Sequence, residues 1–368
     1  MIPGGIAIAG RARDSREFAG GRASDYDARL IRSFMSAETP SEPPRQVERV
    51  HERWPGNETF LCRGRIVAGP RPGAAFATAT LITVPTGIFL GLVAPVVVET
   101  QGVWVYAVAS ALAGNSLIWL FKTSFTDPGI LPRLERRSVG TSSNRGKTRD
   151  CVVETTGKIT TTRWNDTCGY FQPPRAHHCS VCNDCIEKFD HYCPWTGTTI
   201  GLRNYRAFLS FVFGTAAYCV FIATECGYGV SYETKKTGSI GEGFKRSGPA
   251  IGVFIVAALG FLFVGALSGF HAYLISTNQT TYESFRDAHG WSANPYNTGS
   301  IVKNCLEVWF ARVPRAKVRF NATTEEDDSA ERFERALRAS ERATLDASRR
   351  RQQQQRAESS SIELAEAV

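Results

Sequence analysis

Apolar residues are not spread evenly along this chain. They gather into four stretches, 75–98, 103–121, 207–230 and 249–275, which hold no Lys, Arg or Asp and a single Glu, Glu225. Each stretch approaches the roughly 20 apolar residues that a helix needs to cross about 30 Å of hydrocarbon. None alternates apolar and polar positions as a barrel strand does, and helices and closed barrels are the only forms that satisfy backbone groups in lipid. The pattern predicts an all-α polytopic membrane protein with four transmembrane helices. A loop-rich, zinc-finger-like Cys/His domain lies between the second and the third. The first stretch follows an Arg-rich polar segment, unlike a cleavable signal peptide.

Charge gives the orientation. Segment 122–206 carries 13 Lys and Arg, and the first 72 residues carry 12 Arg and no Lys, whereas link 99–102 carries none and link 231–248 carries four. Basic residues stay on the cytosolic side, so both termini and segment 122–206 are expected in the cytosol. The expected organisation is a disordered N-terminal segment (1–53), a juxtamembrane segment (54–74), helices 1 and 2 (75–121), a cysteine-rich domain (122–206), helices 3 and 4 (207–275), a polar segment (276–322) and a charged, disordered tail (323–368). The net charge of +8 suits basic segments beside anionic lipid. No basic–aromatic interleaving accompanies it, so no nucleic-acid partner is expected.

Five of the ten cysteines, Cys168, Cys179, Cys182, Cys185 and Cys193, fall within 26 residues, together with His177, His178 and His191. In a reducing compartment such a cluster points to zinc rather than to disulfides. Cys179 and Cys182 form a two-thiolate knuckle, and Cys168, His178 and Cys185 offer three donors to a second ion. Asp190-His191-Tyr192-Cys193 carries a different chemistry. A thiol near its free pKa of about 8.5 is only a few per cent thiolate at pH 7 and needs an adjacent base. His191 can take the proton, and Asp190 can orient His191 and stabilise its charged form. Spacing alone leaves Cys193 equally readable as another zinc ligand.

At Asp190-His191-Tyr192-Cys193 the chain resembles the DHHC-type protein S-acyltransferases, in the DHYC variant. Pro173–Cys182, with its His177-His178-Cys179, and Gly201-Leu202-Arg203-Asn204-Tyr205-Arg206 match the family's cysteine-rich domain. Asp127-Pro128-Gly129 follows the second span as the DPG motif does, and Thr280-Thr281-Tyr282-Glu283 matches TTxE. Asn294-Pro295-Tyr296-Asn297, with Gly299 and Asn304, resembles the C-terminal motif, and Phe60–Arg65 is similar to plant-type members. The likeness covers about residues 54–312.

The resemblance implies a palmitoyltransferase that moves a long-chain acyl group from acyl-CoA to protein cysteines. Cys193 would be the nucleophile, His191 the base and Asp190 its orienting partner. Implied partners are long-chain acyl-CoA, membrane lipid and cytosolic-face proteins with juxtamembrane cysteines. The implied location is the Golgi, another endomembrane or the plasma membrane. Trp195 is expected at the first acyl carbons, and Arg175, Lys188 and Arg203 at the CoA phosphates. Thr280, Thr281 and Glu283 are expected to tether the catalytic domain to the fourth span, and Asn294 and Asn297 to cap backbone. The family's first zinc site falls on Asn165, Cys168, His178 and Cys185, one Cys short. The second falls on Cys179, Cys182, Tyr192 and Thr199, with two good donors. One zinc ion is therefore expected, with Tyr192, Trp195 and Phe189 holding the metal-free part by packing. A catalytically silent scaffold of the same fold is the rival reading. A transporter is weakly supported, because intramembrane charges are nearly absent.

Overall fold

A computed structural model describes residues 48–134, 147–153, 155–286 and 294–366. The expected disordered segment 1–53 lies outside them apart from residues 48–53. The apolar stretches form α1 (Gly73–Gln101), α2 (Trp104–Ser124), α3 (Tyr205–Thr237) and, after the short α4 (Ile240–Arg246), α5 (Gly248–Thr277). Each helix outruns its apolar stretch. Then come α6 (Thr281–Phe285), α7 (Ile301–Phe310) and α8 (Ser329–Glu366).

Helix α3 packs against both α2 and α5. Its Phe208, Leu209 and Ile222 are fully buried with Phe89, Val97 and Leu120 of α1 and α2. The opposite faces leave Leu81, Leu92, Ile118, Leu259 and Leu262 exposed, as a lipid-facing surface requires. Pro95 cannot donate a helical hydrogen bond, and just before it α1 loosens into a π turn (Phe89–Val93) where Ala94 N–H reaches back to Phe89 O. At the far end of α3, Gly238 adopts the left-handed conformation (φ 66°) that ends helices. Ser239 then caps α4 by accepting from Glu242 N–H.

The all-α expectation holds for the membrane part only. The described residues of the polar part carry ten short strands. β1 (Thr59–Leu61) and β2 (Ile66–Ala68) form a hairpin before α1. β3 (Ile130–Leu131), β8 (Asp184–Ile186) and β7 (His177–Cys179) form one sheet in the order β3-β8-β7. β4 (Thr148–Val152), β5 (Ile159–Asn165) and β6 (Tyr170–Phe171) form a second, and β9 (His191–Cys193) pairs antiparallel with β10 (Thr198–Ile200). Strands of two to seven residues alternate too briefly for a period-2 pattern to stand out, and Cys and His occupy several of the positions.

This domain sits at the end of the bundle where α1 and α3 begin and α2 and α5 finish. Arg71 N–H donates to Gly197 O, Asn204 Nδ2 to Thr123 O and Asn294 Nδ2 to Thr277 O. Gly197 (φ 69°) is required there, since a Cβ would lie 1.9 Å from Arg71 O. The tail 323–368 differs from its expected disorder. In helix α8, Phe333 and Leu337 pack onto Leu131, Cys168 and Tyr170, and Arg149 pairs with Glu341.

Candidate active site

Side chains two apart on a strand share a face, and this places the reactive groups. His191 and Cys193 lie on one face of β9, which turns toward the membrane core, where Cys193 and Ile200, the cross-strand partner of His191, are buried. Tyr192 points the other way, into a cluster with Cys179, Cys182 and Phe189. Strand geometry thus brings the trio together.

Asp190, 2 % exposed, accepts from His191 Nδ1–H at 2.6 Å through Oδ2. Thr281 donates its hydroxyl to the same oxygen at 2.7 Å and its N–H to Oδ1 at 2.8 Å. Tyr282 N–H donates to the Asp190 carbonyl, so the first turn of α6 is tied to the end of β9. Burial alone would push the Asp190 carboxyl up, but the hydrogen bond and charge of His191, together with the Thr281 hydroxyl, hold it below the ordinary range. Burial would also push the His191 imidazole down, yet its hydrogen bonds and charge contacts with Asp190 and Cys193 raise it to about 10. Cys193, itself hydrogen-bonded to His191, is lowered against its own burial. These shifts favour a Cys193 thiolate beside a His191 imidazolium.

A cavity of about 470 Å³ opens between α1, α3 and α5, with Cys193 and Trp195 in its wall and Ile82, Phe211, Cys219 and Gly260 deeper in. Its lining is almost wholly apolar. Where it passes Ile82, Thr86 of α1 and Tyr218 of α3 share a hydrogen bond of 2.7 Å. Thr78 of α1 donates to the Trp195 carbonyl at 2.7 Å, and the indole lies 5.5 Å from the Phe263 ring. The Cys193 sulfur thus faces an apolar cavity as long as an extended acyl chain. From Phe208 to Ile222 the wall runs about 21 Å at the helical rise.

Comparison with known proteins agrees with this arrangement. Residues 158–288 match the family model described as DHHC palmitoyltransferase. The chain is 38 % identical over 289 residues to Probable protein S-acyltransferase 6 of Arabidopsis thaliana, covering 74 % of this chain and 70 % of that one. The chain belongs to the DHHC palmitoyltransferase family. It is also 36 % identical to Protein S-acyltransferase 8 of Arabidopsis thaliana (76 % of this chain, 74 % of that one) and 35 % identical to Palmitoyltransferase ZDHHC14 of Homo sapiens (78 % and 63 %).

In this DHHC protein the first metal position brings Cys168, His178 and Cys185 together, with all donor atoms within 4.8 Å of one another. Cys168 and Cys185 are joined as a disulfide, and Cys168 Sγ lies 3.4 Å from His178 Nδ1. Two thiolates and an imidazole are a zinc-type donor set, and the disulfide and an ion are alternative states of these sulfurs. Asn165 does not join them, because its Oδ1 accepts from Cys168 N–H. The thiol of Cys151, another cysteine of this domain, donates to Thr160 O.

The second position does not fit a metal. Cys182 lies 2.9 Å from the Thr199 hydroxyl, which donates to Cys179 at 3.3 Å. Hydrogen bonds from Cys182, and then from Thr199, lower the Cys179 thiol to about 6. Tyr192 contributes packing in place of a ligand.

The three basic residues expected at CoA are placed differently. Arg175 forms a buried ion pair with Glu283 at 2.7 Å, donates to Asn278 and lies over the Tyr296 ring. Arg203 pairs with Asp127 and donates to Pro314 O. Lys188, held at φ 46°, is lowered to about 8, first by burial and then by Arg175. Two of these cations are thus spent inside the protein, where charge count alone could not distinguish an ion pair from a phosphate contact.

The other motifs build the scaffold. Asp127 Oδ1 accepts from Gly129 and Ile130 N–H, and Gly129 takes φ 114° in that turn. Thr280 and Glu283 cap α6 reciprocally, while Thr281 reaches Asp190. Asn294 and Asn297 bind backbone at Thr277, Tyr296 and Gly299. Sequence reasoning missed His271, buried beside His191, and its link to Tyr205 through a 3.1 Å hydrogen bond. A histidine inside an otherwise apolar span was the available signal.

Proposed function

We propose that this DHHC family member is a protein S-acyltransferase that carries a palmitoyl-type chain on Cys193, taken from acyl-CoA and passed to a protein cysteine. The observation that carries the reading is the Cys193 sulfur, hydrogen-bonded to His191 at the mouth of the apolar cavity. The curated relatives, named as S-acyltransferases and palmitoyltransferases, support the same activity.

The Cys193 thiolate attacks the thioester carbonyl of the acyl-CoA. The new C–S bond forms as the bond to CoA sulfur breaks, and His191 gives its proton to the departing CoA thiolate. Acylation removes the negative sulfur that helped to hold that proton, so the imidazole releases it more readily. In the second half-reaction, neutral His191 takes the proton of an incoming protein thiol. The resulting thiolate attacks the Cys193 thioester, and Cys193 leaves as a thiolate beside the re-protonated imidazole. Asp190 stays ionised throughout, fixing the ring with Nε2 toward sulfur. Ping-pong kinetics follow.

Each buried methylene contributes about 0.8 kcal/mol, so a 16-carbon chain favours the cavity strongly, with Trp195 beside its first carbons. Basic-residue counts support cytosolic termini and a cytosolic face for Cys193, where protein substrates with juxtamembrane cysteines would be met. A Golgi or other endomembrane site is a family-level expectation. Cys168, His178 and Cys185 would hold one structural zinc ion, which would lock β7 and β8 to the turn before β6. A purified sample incubated with radiolabelled palmitoyl-CoA should gain a hydroxylamine-sensitive label that Cys193→Ala abolishes. Absence of label at saturating donor would overturn the reading.

A further inference from the structure

Helix α5 carries a histidine that the mechanism above does not use. His271 is 1 % exposed. Its Nδ1 lies 3.1 Å from the Tyr205 hydroxyl of α3, and its Nε2 is buried without a hydrogen-bond partner. The ring centroid is 6.2 Å from that of His191 and 5.1 Å from that of Phe208, and Phe208 meets the His191 ring edge-on at 5.2 Å. The His191 imidazole is therefore bounded by Asp190 at Nδ1, Cys193 on its own strand, and a wall of Phe208 and His271.

Hydrogen-bond counting assigns the His271 tautomer. If Tyr205 O–H donates to Nδ1, one buried group, the Nε2–H, lacks a partner. If Nδ1–H donated to Tyr205 instead, both the phenolic hydrogen and Nε2 would lack one. Each unsatisfied buried group costs about 1–3 kcal/mol, so the phenol is the donor and His271 is uncharged. Asp190 then faces one cation, His191, rather than two competing ones. Aromatic side chains are stiff, and the Tyr205 bond removes the freedom His271 has left.

We propose that His271, anchored by Tyr205, is a positioning residue for the acyl-transfer site, holding the His191 ring in line with both Asp190 and Cys193. It acts through His191 and needs no contact with the acyl group. The inference rests on the reading of Cys193, His191 and Asp190 as the reacting trio. It explains why a polar pair lies buried where the third and fourth spans meet the catalytic hairpin.

The test is single-turnover acylation of detergent-purified full chain by palmitoyl-CoA, followed across pH for wild type, His271→Ala and Tyr205→Phe. The groups facing the His191–Cys193 pair are Asp190 beside β9, Lys188 before it, His271 on α5 and Tyr205 on α3. His271→Ala should slow acylation by roughly 10- to 100-fold at pH 7, the scale of a small misplacement of a catalytic group. It should also move the acid limb of the profile to higher pH, as Cys193 loses its held cation. Tyr205→Phe should shift both in the same direction by a smaller factor and keeps the test available if His271→Ala fails to fold. A purely structural role would lower the yield of active protein without moving the limb. Wild-type rate and limb in either folded variant would overturn the inference. If wild type itself forms no thioester on Cys193, the activity reading fails instead.

Discussion

Replacing Asp190 by Asn tests the electrostatic core of the site with little change of shape. The rise of the His191 imidazole from its ordinary 6.5 to about 10 corresponds to about 5 kcal/mol of preference for the charged form. Asp190 and Cys193 both push it up while burial opposes, and Asp190 is the stronger of the two. Asp190 therefore supplies at least half, about 2 kcal/mol or a few tens-fold in the ion-pair population. The amide imposes a second handicap. Its Oδ1 can still accept from Thr281 N–H, but its NH₂ would then face His191 Nδ1 and force the hydrogen of the neutral ring onto Nε2, which could then no longer take the proton of the Cys193 thiol. Single-turnover acylation at pH 7 should slow by at least a few tens-fold in Asp190→Asn and recover in part as alkaline pH ionises the thiol directly. The variant's thermal midpoint in detergent shows whether it is folded. A folded Asp190→Asn that acylates at wild-type rate at neutral pH would refute the ion-pair account.

The remaining predictions concern pH, cavity, metal and scaffold. Acylation should fall as pH rises through about 10, where His191 loses its proton, and fall again on the acid side as the Cys193 thiolate is protonated; a profile unchanged by His191→Gln would contradict this. In Gly260→Val the new side chain crowds Cys219, whose Sγ lies 3.3 Å from a Cβ placed there; the preference should move toward shorter acyl-CoA donors in competition assays. Elemental analysis of reduced wild type should find about one zinc ion per chain, and Tyr192→His with Thr199→Cys should add a second. Phe333→Ala should cost about 3 kcal/mol of stability, since Phe333 packs on Tyr170 at 5.0 Å beside the Cys168–His178–Cys185 cluster, and a thermal melt that does not move would assign α8 no structural role.

Legibility followed the physics of each element. The four spans could be read because lipid demands long uninterrupted apolar runs, and the structure differs only in extending the helices past them. The trio could be read because the three residue types lie within four positions, and the structure places His191 and Cys193, two apart, on one face of a strand; Tyr192 between them reads as a missing ligand and a packing residue, and it packs in one cluster with Phe189. The strands themselves escaped notice, since β7, β8 and β9 are three residues each and mostly Cys, His and Asp. Arg175 and Arg203 look like phosphate ligands in sequence because Glu283 and Asp127 are 108 and 76 residues away. Helix α8 reads as a charged tail because its apolar packing on the domain rests on Phe333 and Leu337, one turn apart, and that burial is tertiary. His271 was hidden for the same reason, its partner Tyr205 being 66 residues earlier.

The central claim is that the Cys193 sulfur carries the acyl group. Intact-protein and peptide mass spectrometry after brief exposure to palmitoyl-CoA, without protein acceptor, tests it most directly. The account predicts one palmitoyl mass on the peptide holding Cys193, removed by neutral hydroxylamine and discharged when a cysteine-containing acceptor is added. Label that settles on Cys62, Cys151 or Cys305 while Cys193 stays free would contradict it.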